Sequence, residues 1–252
     1  MNEEELIKRK IIDSANQAYN SNSFSFTNFL SLTELNIYHS LSKELSFIKS
    51  KSFGGLETSE RKIIRFGSED ELGYSLDFPI KIIKISPVIP KFSEKLSHRD
   101  YLGAIMNLGI KRELLGDILV KDLEAYLFCL DHIADFIIDN LTKIKHTNVK
   151  LEIVNNTNLE AIKAKKESLE LISASPRLDA VVASITKLSR TKVKDLFLQK
   201  KIYVNGLLNE NVSYKLKEED ILVIRGMGKF IFKGNGKETK SGRVYVHLEK
   251  YI

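Results

Sequence analysis

The stretch LSRTKVKDLFLQKKIYVNG, residues 188–206, combines one apolar helical face with a dense set of cations. Apolar residues recur at the spacing of one helix face, at Val193, Leu196 and Phe197. The five cations of the stretch are Arg190, Lys192, Lys194, Lys200 and Lys201. Ser189 is a suitable N-cap, and the amides and dipole of a helix N-terminus attract anions. The pattern therefore predicts a helix that presents cations and backbone amides to phosphate groups.

A second amphipathic helix precedes this one and is expected to pack against it. Its apolar residues recur at helical spacing, at Leu178, Val181, Val182 and Ile185. Packing of the two apolar faces would bring Arg177 close to the cations of residues 190–194. Five or six phosphate contacts would give a salt slope of roughly −5 on a duplex and somewhat less on single strands. An ordinary solvated helix face is the alternative, and a membrane-surface helix is disfavoured because the core needs this short apolar stripe.

The positive charge of the chain is confined to its last third. The net charge is +6, yet residues 171–252 hold 16 Lys plus Arg against 8 Asp plus Glu. The preceding residues 1–170 hold 23 cations against 25 anions. A localised basic excess is typical of nucleic-acid binders, although acidic membranes and acidic proteins attract it too.

Other features exclude several function classes. The apolar runs fall far short of the roughly 20 residues of a membrane span, and the acidic residues 1–5 predict no signal or transit peptide. Cys129, the single cysteine, lies in the apolar AYLFCLD and is expected to be buried. The five histidines lack metal-ligand spacing, and HRD at 98–100 lacks the other kinase motifs. We therefore expect a cytoplasmic monomer without membrane insertion, catalytic residues, metal, cofactor or small-molecule substrate.

The element pattern predicts an α+β protein with three domains. Residues 1–76 are predicted to form an N-terminal α/β domain. Residues 77–156 follow the order β-α-β-β-α-β, which is typical of ferredoxin-like folds such as the RNA-recognition motif and also of many enzymes. Residues 157–172 are predicted to be a polar linker, and residues 173–252 form the basic C-terminal domain.

The middle domain carries a second cationic set, at Arg99, Lys111 and Arg112. Ser97 and Asp100 have the spacing of a capping box, which places Arg99 in the first turn of a helix. The other two cations lie in the loop-like NLGIKRELLGDI. These three residues form either a second RNA surface or a structural loop.

The C-terminal sequence RLDAVVASITKLSRTKVKDLFLQKKIYVNG, followed by NVSYKLKEEDILVIRGMGKF, resembles the S-four RNA-binding domain (alpha-L RNA-binding motif). In the middle domain, HRDYLGAIMNLGIKRELLGDILV resembles the corresponding domain of the YlmH family, and GGLETSER resembles an element of that family's N-terminal domain. The resemblance thus covers nearly the whole chain. It implies an S-four fold for residues 173–252.

The resemblance also implies a function and a set of contact residues. YlmH-like proteins associate with the large ribosomal subunit, contact rRNA and tRNA there, and act in quality control of stalled translation. Carried over by position, the primary RNA contacts are Arg177, Ser189, Arg190, Thr191 and Lys192. A second tier comprises Lys194, Lys200, Lys201 and Asn205. Asp179 is expected to orient Arg177 or Arg190, because a carboxylate repels phosphate.

Two other functions stay open from the sequence. One is an RNA-modifying enzyme that an S-four domain targets to its substrate, with an active site within residues 1–158. The other is an adaptor associated with cell division, whose partner is a protein. Co-sedimentation with ribosomal subunits over a salt series distinguishes both from a ribosome-binding factor.

Overall fold

A computed structural model of the chain describes residues 3–154 and 166–251. The chain forms two compact units, Met1–Lys163 and Ala164–Ile252, which are called the N-terminal unit and the C-terminal unit below. Among the helices of the described ranges, none combines the length and the apolar character that crossing a bilayer requires. Each unit has its own buried core.

The first half of the N-terminal unit builds a small sheet flanked by helices. Its elements are α1 (Glu3–Ser21), β1 (Ser25–Phe26), α2 (Leu32–Ser40), β2 (Ser50–Phe53), β3 (Ile63–Phe66) and the single-turn α3 (Glu69–Leu72). The strands pair antiparallel in the order β1-β3-β2. Ile11, Ala15 and Ala18 of α1 recur on one helix face and are buried together with Ile64 and Phe66 of β3.

The second half of the N-terminal unit is a five-stranded antiparallel sheet with two helices. Its elements are β4 (Ile80–Pro87), α4 (His98–Met106), β5 (Leu115–Lys121), β6 (Glu124–Leu130), α5 (Ala134–Asn140), β7 (Lys143–Ile144) and β8 (Thr147–Ile153). The strand order is β5-β6-β4-β8-β7. The isoleucine-rich β4 lies at the centre, where Ile83 and Ile85 are fully buried. Apart from the short extra strand β7, the elements follow the order that the sequence predicts.

The two halves of the N-terminal unit share buried side chains. Phe29 and Ile63 from the first half belong to the same core as Phe128 of β6. Gly55 has φ +98°, and a Cβ atom built on it would lie 2.3 Å from the Phe128 ring. Only glycine allows this backbone to lie directly on the ring. The predicted boundary at residue 76 therefore lies inside one compact unit, and the three-domain division stays a prediction.

Cys129 of β6 is buried, as its apolar sequence context predicts. Burial raises the pKa of its thiol to about 12, with a smaller contribution from the Asp131 carboxylate. The thiol therefore stays protonated at physiological pH and is a poor nucleophile.

The C-terminal unit is a six-stranded antiparallel sheet with two helices on one face. Its elements are β9 (Lys166–Ser173), α6 (Leu178–Thr186), α7 (Arg190–Leu198), β10 (Ile202–Val204), β11 (Leu207–Leu208), β12 (Ile221–Ile224), β13 (Gly228–Glu238) and β14 (Val244–Tyr251). The strand order is β11-β10-β12-β13-β14-β9. The helices contribute to the core with the sheet residues Leu222, Phe230 and Leu248.

The predicted linker at residues 157–172 is wrong over its second part. Residues 166–173 form β9, an edge strand that pairs along its whole length with β14, from Ser173 opposite Val244 to Lys166 opposite Tyr251. The strand was missed because it is polar on its exposed face, and only the distant β14 supplies its hydrogen-bond partners. The remainder of the predicted linker, residues 157–165, lies outside the described residues.

The predicted capping interaction of α4 is present, and it makes the stability of the fold depend on pH. The Asp100 carboxylate accepts hydrogen bonds from the Ser97 N–H (2.8 Å) and hydroxyl (2.7 Å), and it pairs with Lys145 at 2.7 Å. Lys145 first, and Ser97 second, lower the pKa of Asp100 to about 2. Since the pKa in the folded chain lies below its usual value, this stabilisation is complete above about pH 5 and is lost as the pH falls towards 2.

Asp100→Asn is therefore expected to lower the free energy of unfolding at pH 6 and to have a smaller effect at pH 3. Urea unfolding of both proteins at both pH values, followed by circular dichroism, measures the difference. An equal destabilisation at pH 6 and pH 3 would show that the charge of this carboxylate contributes nothing.

Candidate nucleic-acid interface

The corner between α6 and α7 is built by local sequence signals. Lys187 ends α6 in the left-handed region at φ 57°, and Ser189 caps α7 by accepting a hydrogen bond from the Lys192 N–H at 3.4 Å. The buried residues of α7 are those of the predicted apolar stripe, Val193, Leu196 and Phe197. Because this face is directed into the core, the cations of α7 lie on its exposed side.

The two helix N-termini differ in what their amides contact. In α6, the N–H of Leu178 donates to the Tyr214 carbonyl at 2.8 Å, and the N–H of Asp179 donates to the Val212 carbonyl at 3.1 Å. Those amides are therefore used within the unit. At α7, Ser189 accepts from the Lys192 N–H, and within the described ranges no other acceptor contacts the amides of residues 190–192, so this N-terminus can face an anion.

A groove of about 780 Å³ lies beside this corner and collects several of the predicted contact residues. Its charged and hydroxyl-bearing walls include Arg177, Asp179, Arg190, Thr191, Lys194 and Arg243. The structure thus brings Arg177, Arg190, Thr191 and Lys194 together, as the packing of two amphipathic helices predicts. Lys192 is exposed on the same helix but does not line the groove.

Arg177 is held in place by the neighbouring carboxylate. Its Nε donates to Oδ1 of Asp179 at 3.1 Å and its Nη2 donates to Oδ2 at 3.0 Å. Asp179 therefore orients Arg177 rather than Arg190. The bidentate pair fixes the guanidinium at the groove and offsets its charge, so Arg177 contributes less net attraction for phosphate than an unpaired cation.

The cations of α7 are not paired with carboxylates of the described residues. Within residues 3–154 and 166–251, the side chains of Arg190, Lys192 and Lys194 make no ion pair, and all three are exposed. Three unneutralised cations on one short helix, beside the open end of its dipole, create a strongly positive surface. This surface, formed by Arg190, Lys192 and Lys194, is called the α7 cationic surface below.

The second-tier residues have different environments. Lys200 is exposed and Lys201 is half-buried, both in the connection from α7 to β10. The Asn205 side chain is already engaged: its Nδ2 donates to Asp220 at 2.8 Å and its Oδ1 accepts from the Ile221 N–H at 2.8 Å. Asn205 therefore stabilises the turn after β10. Its contact with RNA stays a prediction, to which the structure gives no support.

The predicted second surface in the middle segment is only partly exposed. Arg99 and Lys111 are exposed, but Nη1 of Arg112 donates to the carbonyls of Leu115 (2.8 Å) and Gly116 (3.0 Å). Desolvation, followed by the nearby charge of Arg61, lowers the pKa of Arg112 to about 10. The guanidinium therefore acts as an internal hydrogen-bond donor, which favours the structural interpretation for this residue.

The sequence did not predict the roles of two arginines, one at the groove and one in the N-terminal unit. Arg243 lines the groove because β14 pairs with β9, which ends beside α6. No local sequence pattern predicts the position of Arg243, because β9 and β14 are far apart in the chain.

Arg61, within GGLETSER, donates from Nε to the Leu115 carbonyl at 2.9 Å and from Nη2 to the Phe29 carbonyl at 2.8 Å. It joins the two halves of the N-terminal unit.

Comparisons with known proteins show which proteins the chain resembles. A family model described as "Putative RNA-binding domain in YlmH" matches residues 74–158. The "Ribosome-associated protein quality control protein P2" of Bacillus subtilis (strain 168) is 30% identical over 200 residues, covering 78% of this chain and 76% of that protein. The solved "Cell division protein ylmH from Streptococcus pneumoniae" aligns with a TM-score of 0.52 and 22% identity, over 62% of this chain and 94% of that chain. The last match shows a shared fold, and the identity to the Bacillus subtilis protein over three quarters of both sequences shows that the chain belongs to the YlmH family.

Proposed function

We propose that the chain is an RNA-binding protein of the ribosome and that its C-terminal unit is an S-four domain. The helix-helix-strand arrangement of α6, α7 and β10, followed by the Asn-Gly turn, matches the sequence elements that resemble that domain. The name of the Bacillus subtilis relative supports an association with ribosomes in protein quality control. The proposed role is binding without a catalytic step, by a monomer.

The α7 cationic surface is the observation that carries this proposal. Phosphate backbones are bound by exposed cations that no carboxylate neutralises, and these contacts provide most of the sequence-independent affinity for nucleic acids. Arg190, Lys192 and Lys194 satisfy this requirement among the described residues, and Thr191 adds a hydroxyl at the groove. Arg177 and Arg243 would position a phosphate from the other groove walls.

The target that we propose is structured rRNA and tRNA on the large ribosomal subunit. A rigid platform of short helices suits a folded RNA, whose phosphates are held at fixed positions. The N-terminal unit would add contacts, because residues 74–158 match a family model described as RNA-binding. Its exposed cations Arg99 and Lys111 are the candidates, whereas Arg112 is not.

Co-sedimentation with purified ribosomal subunits tests the proposal. The protein is expected to sediment with large subunits at low salt, to be released as the salt concentration rises, and to show weaker association with small subunits. Equal association with both subunits would contradict the large-subunit target. Absence of sedimentation with either subunit at low salt would overturn the ribosomal function.

A further inference from the structure

The face of the C-terminal sheet opposite α6 and α7 carries a row of tyrosines and cations. Tyr203 of β10 pairs with Val223 of β12, which pairs with Lys229 of β13. Cross-strand partners share a face of the sheet, and the neighbouring positions Val204, Leu222 and Phe230 point into the core. Tyr203, Val223 and Lys229 therefore lie on the outer face.

The row continues across the remaining strands. Tyr251 of β14 pairs with Lys166 of β9, and the Lys229 ammonium lies 4.9 Å from the centre of the Tyr251 ring. The Lys166 ammonium lies 5.2 Å from the same ring. At the other end of the row, the Arg225 guanidinium lies 4.5 Å from the centre of the Tyr203 ring. The residues of this tyrosine–cation row are Tyr203, Arg225, Lys229, Tyr251 and Lys166.

Lys166 and Arg225 of the row differ in whether a carboxylate pairs with them. Lys166 also pairs with Glu249 at 3.1 Å, so its charge is offset. Arg225 is exposed in the turn after β12, and among the described residues its guanidinium makes no ion pair and no hydrogen bond. The contact with the Tyr203 ring restrains the guanidinium at this end of the row. Arg225 therefore holds hydrogen-bond donors beside the Tyr203 ring that no acceptor of the described residues uses.

We propose that the tyrosine–cation row, centred on Arg225, is a second RNA-contact surface that binds backbone phosphates. The Arg225 guanidinium can donate two parallel hydrogen bonds to a phosphate, and Lys229 adds a second cation on β13, the strand that follows the same turn. This proposal rests on the proposed RNA-binding function. It extends that function, because the tyrosine–cation row lies on the opposite side of the sheet from the α7 cationic surface. The C-terminal unit would then contact two segments of folded RNA at once.

Substitutions at Arg225 and Tyr203 test the row, with purified large ribosomal subunits as the probe. Arg225→Ala is expected to lower the affinity about tenfold, through the loss of a charge-assisted contact, and to reduce the salt slope by about one unit. Arg225→Lys keeps the charge but not the fork, so a loss of about threefold is expected. Tyr203→Phe keeps the ring and should bind like the unmodified protein, whereas Tyr203→Leu removes the support for the guanidinium and should weaken binding.

Lys217→Ala is the matched control, since it removes one exposed charge of the same unit outside the row and the groove. Circular dichroism confirms that each variant is folded. If the Arg225→Ala variant binds large subunits as tightly as the Lys217→Ala variant, the proposal that the row contacts RNA is wrong. The surface would then suit an acidic protein partner better. If Arg190→Ala with Lys192→Ala still loses affinity in that case, the proposed function stands. If this double variant also binds normally, the RNA-binding function is itself wrong.

Discussion

Arg190→Ala combined with Lys192→Ala is expected to lower the affinity for the large ribosomal subunit by roughly 100-fold at physiological salt. Each substitution removes one charge-assisted phosphate contact, worth about 1.5 kcal/mol, and about 1.4 kcal/mol corresponds to a factor of ten. Neither side chain is buried or paired among the described residues, so the fold should be retained. Fluorescence anisotropy of labelled protein with purified subunits gives both dissociation constants.

The control for this pair removes the same charge from the N-terminal unit. Lys43→Ala with Lys51→Ala changes two exposed lysines outside the proposed contact surfaces. This variant is expected to bind within about twofold of the unmodified protein, because neither lysine belongs to a surface that is proposed to contact RNA. Equal losses in both double variants would mean that net charge, and not the α7 cationic surface, determines binding.

The second large effect concerns the stability of the N-terminal unit. Gly55→Ala is expected to lower its free energy of unfolding by about 3 kcal/mol or more. The added methyl would lie 2.3 Å from the Phe128 ring, and the residue would have to keep a φ of +98°. Phe128 is fully buried between the two halves of the unit, so the ring has no room to move away.

Gly73→Ala separates the two causes of this loss. Gly73 also has a positive φ, +74°, but nothing lies within 4 Å of an added Cβ atom. This variant should lose only the backbone term of about 1 kcal/mol. Urea unfolding monitored by circular dichroism compares the two variants, and equal losses would contradict a tight contact between Gly55 and the Phe128 ring.

Local sequence patterns predicted the elements whose stability depends on near neighbours in the chain. The stripe of Val193, Leu196 and Phe197 with the cap Ser189 predicted α7 and its buried face. The Asn-Gly pair predicted the turn after β10, where Asn205 and Gly206 have φ values of 51° and 79°. In both cases the residues that determine the structure lie within one or two turns of chain.

Long-range pairing determined the features that the sequence did not predict. Arg243 reaches the groove only through the pairing of β14 with β9, and β9 was predicted to be linker for the same reason. For Arg112, the sequence left both a second RNA surface and a structural loop open. An irregular register between β5 and β6, between Leu115 and Ile118, accompanies the carbonyls that Arg112 satisfies. A local pattern contains no information about such a bulge.

The dependence of binding on salt is the most direct test of the central claim, that exposed cations of the C-terminal unit bind RNA through its phosphates. Dissociation constants for purified large subunits, measured over a series of KCl concentrations, should give a log–log slope of about −5 for the unmodified protein. Arg190→Ala with Lys192→Ala should bring the slope to about −3. A slope near zero for the unmodified protein, or the same slope for both proteins, would contradict the account.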